Sequence, residues 1–160
     1  MGKVLKLFGN GYAGSISRSV DNVVISLRNS SDAAIPFGTP VFLAANEKSC
    51  HPYTNGDTVD NFLGFAVRNA DKTPDTYGSN QAAYQPNAPV DILVRGTIVL
   101  HFTGAVPPNS SVYLMKADGT IKAVAPATAS DALELPNCHV NTPRDSGANA
   151  EVILAKRNLM

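Results

Sequence analysis

Apolar and polar residues alternate along much of this chain with the period of a β-strand. The longest such run is residues 89–102, PVDILVRGTIVLHF. Val90, Ile92, Val94, Ile98, Leu100 and Phe102 fall on one parity, with Gly96 as the only gap; Asp91, Leu93, Arg95, Thr97, Val99 and His101 make up a mixed row. Side chains on a strand alternate faces, so the run predicts one long strand with a dry face and a half-wet one. On a helix those apolar residues would spread round the whole circumference, and Val, Ile and Thr favour a pleated surface. Gly96 predicts a bulge or sharp bend that lets the strand serve two parts of a curved sheet. Shorter strands are expected at 22–28 (NVVISLR), 34–45 (AIPFGTPVFLAA), 61–68 (NFLGFAVR), 135–140 and 150–156 (AEVILAK). Pro36, Gly38 and Pro40 make the first half of the second of these an edge or a turn. Within residues 111–124, SVYLMKADGTIKAV, two alternating runs flank Asp118-Gly119, a hairpin signal. Asn55-Gly56 marks a turn in the polar stretch 46–60, residues 144–149 form another, and Ser130-Asp131 can cap no more than one helical turn. The fold class is therefore all-β: a small barrel-like body over residues 21–160 with a long polar loop at 69–89. Loops of that length in compact domains are usually functional or mobile.

One echo runs through the pattern. Residues 35–43, IPFGTPVFL, resemble residues 106–114, VPPNSSVYL: each has a proline turn, a small polar residue, then Val-Phe/Tyr-Leu entering a strand. Two related β units packed into one body explain the echo, and so does coincidence among proline-bounded strands.

Residues 1–20 precede the first clear core strand. KVLKLF at 3–8 can form a short strand, but Gly9, Gly11 and Gly14 break it, and residues 15–21 are polar except for Ile16 and Val20. This predicts an extended N-terminal arm. Eighteen residues span at most roughly 60 Å, enough to cross onto a neighbouring molecule. Leu5, Leu7, Phe8, Tyr12 and Ile16 have little reason to be apolar on a tail that touches nothing.

Composition narrows the function classes. The 160 residues suffice for one domain with a real core. Thirteen basic and thirteen acidic residues cancel, and only 16% of residues are charged. No basic cluster offers an electrostatic footprint for nucleic acid or an anionic membrane. Near-neutrality hints at life within an assembly, because a lone soluble protein gains colloidal stability from net charge. No run reaches the eighteen or so apolar residues of a membrane span, and the N-terminus lacks the apolar core of a secretory signal, so synthesis in cytoplasm is expected. Two cysteines do not make a disulfide scaffold.

Candidate chemistry is sparse. Gly9-Asn10-Gly11-Tyr12-Ala13-Gly14 is a literal GxGxxG, but a dinucleotide site needs those glycines to open a helix, and residues 15–27 are a poor helix. Cys50-His51 and Cys138-His139 form a superficial Cys₂His₂ set; adjacent residues of an extended chain point opposite ways, which does not suit tetrahedral zinc. Two partly buried free thiols are the preferred reading. His51, His101 and His139 are the only histidines, with no GxSxG or HExxH and no nucleophile beside a convincing base. A non-enzymatic domain without metal or cofactor is expected.

Several segments together resemble the small structural cement or decoration proteins of tailed-bacteriophage heads. GYAGSISRSVDNVVISLRN (11–29) is similar to the Gly-, Ser- and Arg-containing opening of that family. IPFGTPVFLAAN resembles its first strand, of pattern gxpV.l, NFLGFAVRN its strand of pattern iGvAv, VDILVRGTIVLHFTGAVPPNSSVYLMKADGTI its core, and LPNCHVNTPRDSGANAEVILAK its closing segment. The resemblance covers most of residues 11–156 and rests on small and apolar positions. It implies a β-barrel or β-tulip-like body with an N-terminal arm, bound in many copies to the outside of a capsid, commonly as trimers at three-fold positions and otherwise as dimers. The implied partners are the major capsid protein and further copies of the chain, and the implied place is the outer surface of a virion. Carried onto this sequence, the capsid-binding part is residues 11–18, with Gly11, Tyr12, Gly14, Ile16 and Arg18, joined by Phe8 as a pocket-filling side chain. The loop 69–89 is longer than the family leads one to expect. The alternative is a carbohydrate-binding β module on a virion surface, with Tyr53, Tyr77 and Tyr84 as stacking platforms.

Overall fold

A computed structural model describes residues 9–69, 83–145 and 147–156. Eleven strands occur among them: β1 (Ile16–Asn29), β2 (Ile35–Pro36), β3 (Pro40–Leu43), β4 (Ser49–Pro52), β5 (Phe62–Ala66), β6 (Ala83–Tyr84), β7 (Pro89–His101), β8 (Ser111–Met115), β9 (Ile121–Lys122), β10 (Ala132–Val140) and β11 (Asn149–Leu154). The only helical pieces in the described residues are two single 3-10 turns, Val59–Asn61 and Ala129–Asp131. Nine strands form one sheet in the order β1-β4-β3-β5-β7-β11-β10-β8-β9. Strand β1 also pairs with β7, so the first five close a circuit. The remaining two, β2 and β6, pair with each other. The expected Asp118-Gly119 hairpin joins β8 to β9, with Leu114 opposite Ile121.

Strand β7 is the shared spine, but its dry row does not face one core. Val90, Ile92 and Val94 enter a cluster with Val41, Cys50 and Leu63, against which Ile25, Leu27 and Leu43 pack. Ile98, Leu100 and Phe102, on the same parity, enter a different cluster with Val112, Leu114, Ile121, Leu135, Val140 and Val152. Leu93, of opposite parity, belongs to this second cluster as well. The strand therefore inverts its faces between Leu93 and Ile98, and Gly96 sits at the inversion with φ +128°. A Cβ there would lie 1.9 Å from Asn22 Oδ1 and 3.0 Å from the Asn22 Cα. That close approach explains the glycine: Asn22 crosses over the backbone, and its Oδ1 accepts from the Thr97 amide at 3.2 Å. The pairing of β1 with β7 slips at the same place, from Arg18↔Thr97 to Val23↔Arg95. Burying each of these Val, Ile and Leu side chains stabilises the fold by about 1.5–3 kcal/mol.

The strands form two copies of one unit, and the second cluster also takes in Phe42, Phe62, Phe65 and Leu93 from the first copy. Strands β3 and β4 pair Leu43 with Cys50 and Phe42 with His51; β8 and β9 pair Leu114 with Ile121 and Tyr113 with Lys122. Ala44 N donates to Ser49 O as Met115 N does to Thr120 O. Ahead of each hairpin a hydroxyl closes a turn on a proline carbonyl, Thr39 onto Pro36 and Ser110 onto Pro107, both at 2.7 Å. Gly38 N donates to Ala66 O and Ala66 N to Thr39 O; Asn109 N donates to Val140 O and Val140 N to Ser110 O. Ser30 N donates to Cys50 O, and Thr103 N to Ile121 O. The sequence echo is thus one segment of a longer repeat of hydrogen bonds, which coincidence among proline-bounded strands does not explain. The second half of β7 plays in the second unit the part that β1 plays in the first. Its first half is the closing strand of the first unit, as β11 is of the second.

Two departures bear on function. Strand β1 begins at Ile16, six residues before the expected start, and runs through residue 20, so no element boundary falls there. Strand β6 lies within the stretch expected as a polar loop at 69–89; Tyr84 is 1% exposed, donates to Val67 O at 2.7 Å and meets Phe37 edge-on. The rest of that loop, residues 70–82 with Tyr77, lies outside the described residues.

Candidate functional site

Residues 9–18 lie as a strap along the body of their own chain. Asn10 anchors one end. Its amide N donates to Asp145 Oδ2 at 2.7 Å, and its side-chain Nδ2 donates to Asn149 O at 2.8 Å and Pro143 O at 3.0 Å. Asn149 Nδ2 answers by donating to Gly11 O at 2.9 Å. In the middle, Gly14 N donates to Val99 O at 2.8 Å, Val99 N donates to Ser15 O at 2.9 Å, and Arg68 N donates to Gly14 O at 2.7 Å. Gly14 is buried with φ +84°. A Cβ on it would meet the Phe37 Cβ at 2.8 Å and the backbone nitrogens of Gly38 and Arg68 at 2.9 and 3.0 Å. Only glycine lets the strap sink between the second half of β7 and the turn ahead of β3. At the other end, Ile16 pairs with Ile98, and Arg18 Nε donates to Glu151 Oε1 at 3.1 Å.

The arm expected to cross onto a neighbour is, over residues 9–18, hydrogen-bonded to its own body. The physical reason is that this stretch satisfies backbone groups the body leaves open, Val99 above all. Phe8 lies outside the described residues. What the strap presents outward is a row of side chains: Tyr12 is 55% exposed, Ile16 37%, and the Arg18 side chain 63%. Gly11 is exposed as well. The Arg68 guanidinium sits 4.9 Å from the centre of the Tyr12 ring, which steadies that ring at the surface.

Electrostatics hold the strap at both ends. Burial works to raise the Asp145 carboxyl pKa, but the amide donors of Asn149, Asn10 and Gly147 and the nearby Arg144 charge outweigh it, and the pKa falls below the ordinary value. The same contest at Glu151 has the same outcome: burial raises it, while hydrogen bonds from Ser17 and Asn141 and the charge and hydrogen bond of Arg18 lower it further. Sequence reasoning singled out Gly11, Tyr12, Gly14, Ile16 and Arg18, which the structure gathers on one strap. It missed the anchors Asn10, Asp145, Asn149 and Glu151. The only signal for them was the turn-forming run DSGAN at 145–149, which shows a turn but not its partner.

The other candidate chemistry is dispersed. The glycine-rich run leads into strand β1 rather than a helix. Cys50 and Cys138 sit in different cores; burial pushes the Cys50 thiol up to about 11 and raises that of Cys138 as well. His51 Nδ1 lies 2.8 Å from Pro52 O and 3.6 Å from Asp57. His101 stands exposed beside Asn149. Among the described residues no three His, Cys, Asp or Glu side chains gather as a metal site. Of the three tyrosines proposed as stacking platforms, Tyr84 is buried in the first core, which removes it as a platform; Tyr53 is half-buried edge-on to Phe42.

Comparison with known proteins agrees with the architecture. No curated protein matches the sequence. A chain of the solved structure "The capsid of Myoviridae Phage XM1" shares the fold with a TM-score of 0.74 over 97% of this chain and 96% of that one, at 17% identity. The family model described as "Structural cement protein (E217 gp24/Pam3 gp6)" matches residues 3–155, nearly the whole sequence. The chain belongs to the structural cement protein family of bacteriophages.

Proposed function

We propose that the protein binds the outer surface of a bacteriophage head and stabilises it by bridging neighbouring capsomers, with the major capsid protein as its partner. Membership of the cement family supports a structural role in the capsid, and the reading takes the chain to be non-enzymatic. The observation that carries the finer reading is the strap. Its backbone is tied down while Tyr12, Ile16 and Arg18 point outward, so a partner meets a pre-ordered row of anchors and binding loses little conformational entropy. A standard interface buries about 800 Å² per partner, and aromatic and arginine side chains dominate its energy. The reading includes self-association, as trimers at three-fold positions or as dimers. Several modest contacts per oligomer would then combine through effective concentration rather than through one tight site.

Because the Tyr12 and Ile16 side chains are exposed and Arg18 keeps its bond to Glu151, the first two can be changed without unseating the strap. The variant carrying Tyr12→Ala and Ile16→Lys should keep its melting temperature and sediment with undecorated heads at least tenfold more weakly, since one anchor alone is commonly worth about 2 kcal/mol. Undiminished decoration by a folded double variant would remove the strap from the mechanism.

A further inference from the structure

The internal repeat exposes a vacancy. In the second unit, Val99 N and Val99 O on the outer edge of β7 are both engaged, by Ser15 O and Gly14 N of the strap. The equivalent position in the first unit is Ser26 of β1. Ile25 pairs with Ile92 as Ile98 does with Val152, and Leu27 pairs with Val90 as Leu100 does with Ala150. Asn29 N donates to Ala88 O as Phe102 N does to Ala148 O. Backbone groups of Asn29 thus face β7, and those of Ser26 and Val24, of the other parity, face away from it. Strand β4 covers that edge only at Arg28 and Asn29. Among the described residues nothing pairs with β1 beyond β4 along Val24–Ser26, and Val23 and Val24 are exposed beside it, Val24 to 42%. Open edges of this kind are templates for another strand.

We infer that this edge of β1 is a strand-acceptor site filled by residues 3–8 of a second copy of the chain. The occupant is argued from two facts. First, the equivalent slot in the second unit is filled by this chain's own N-terminal segment. Second, residues 3–8 of the same chain cannot fill the open one. They are tethered at Asn10, which bonds to Asn149 opposite His101, whereas Ser26 lies opposite Asp91, about ten residues away along β7. That separation is about 33 Å of strand, and seven extended residues reach about 25 Å. KVLKLF supplies the fit: Val4, Leu5, Leu7 and Phe8 for Val23 and Val24, and Lys3 and Lys6 for Asp91, which accepts from Ser26 and Asn69 and forms no ion pair among the described residues. Such donation is head-to-tail, so it closes into a ring when the rotation permits. The inference rests on the self-association in the proposed function and not on head binding.

The test uses purified full-length protein without heads. Amide exchange at Val24 and Ser26 should slow about tenfold as concentration rises through the range where light scattering shows association, and both effects should vanish on deleting residues 2–8. The deletion spares the anchors that begin at Asn10. Leu5→Asp with Leu7→Asp gives the same reading should the deletion fail to fold. Fast exchange at every concentration overturns the inference. So does slow exchange independent of concentration, which assigns the edge to a segment of the same chain. Concentration-dependent protection that survives the deletion assigns it to another surface of the second copy, and protection seen only on heads assigns it to the shell; either result also overturns it.

Discussion

Replacing Gly14 by alanine isolates what docks the strap. The substitution has two separable costs. A left-handed φ of +84° costs an alanine about 1 kcal/mol relative to glycine. The new Cβ then meets the Phe37 Cβ and two backbone nitrogens between 2.8 and 3.0 Å, so the relief must come from the main chain rather than a flexible side-chain end. Overpacking of that kind costs about 1–3 kcal/mol. The sum is about 3 kcal/mol, or a melting temperature lower by about 6–12 °C for a chain of this size. Gly119→Ala is the control: its φ is +69°, and nothing lies within 4 Å of the added methyl. It should lose only about 1 kcal/mol, or about 2–4 °C. Local release offers the Gly14 variant a second outlet, because the strap can lift off and forfeit its hydrogen bonds to Val99 and Arg68. Exchange of the Val99 amide reports that outlet directly. The assay is therefore thermal unfolding of both variants together with exchange at Val99. Equal melting temperatures for the two variants, with Val99 as protected as in the parent, would refute the claim that a steric slot at Gly14 holds the strap.

Two further outcomes follow from the electrostatics. Asp145 and Glu151 titrate lower in the folded chain than the ordinary values near 3.9 and 4.3, so the unfolded chain takes up protons first as pH falls. Their contribution is complete above about pH 5 and is lost as pH drops through the folded values, below about 4. Urea unfolding followed from pH 7 to pH 2.5 should show strap stability falling in that window, with a flatter profile for Asp145→Asn; an unchanged profile would dismiss Asp145 as an anchor. Cys50 and Cys138, with thiols raised by burial, should resist an aromatic disulfide reagent at pH 8 while the protein is folded and react together on unfolding. Rapid reaction of either in the folded protein would contradict its placement in a core.

Period-two alternation made most of the body legible, most plainly in β8 and β11, whose inward residues fill a core on one face. It failed where backbone pairing, not side-chain burial, makes the strand. Strand β4 is Ser-Cys-His-Pro, a polar tetrapeptide whose single inward apolar side chain is Cys50; its pairing with β3 and β1 makes it a strand. Residues 16–21 of β1 read as a polar tail for the same reason. On β7 the pattern was right and its meaning was not. An unbroken parity implies one dry face only if the strand keeps its twist, and Gly96 inverts it. The strap's residues could be named from the sequence, but not their destination, since Asn10 and Asp145 lie 135 residues apart and meet through a backbone donor that leaves no compositional trace.

The two similar halves differ in how their outer edges are covered. A repeat that shares β7 as closing strand of one unit and opening strand of the next cannot let its units move apart without breaking the strand that both cores are built on. In this fused pair the second unit has its exposed edge satisfied by the segment that enters the first. That segment does two jobs at once: it caps Val99, and it turns Tyr12, Ile16 and Arg18 into an ordered outward row. Among the described residues no counterpart of the strap pairs with Val24–Ser26 of the first unit. A strand supplied by a second copy, as inferred above, would pair the Val24–Ser26 edge as the strap pairs Val99.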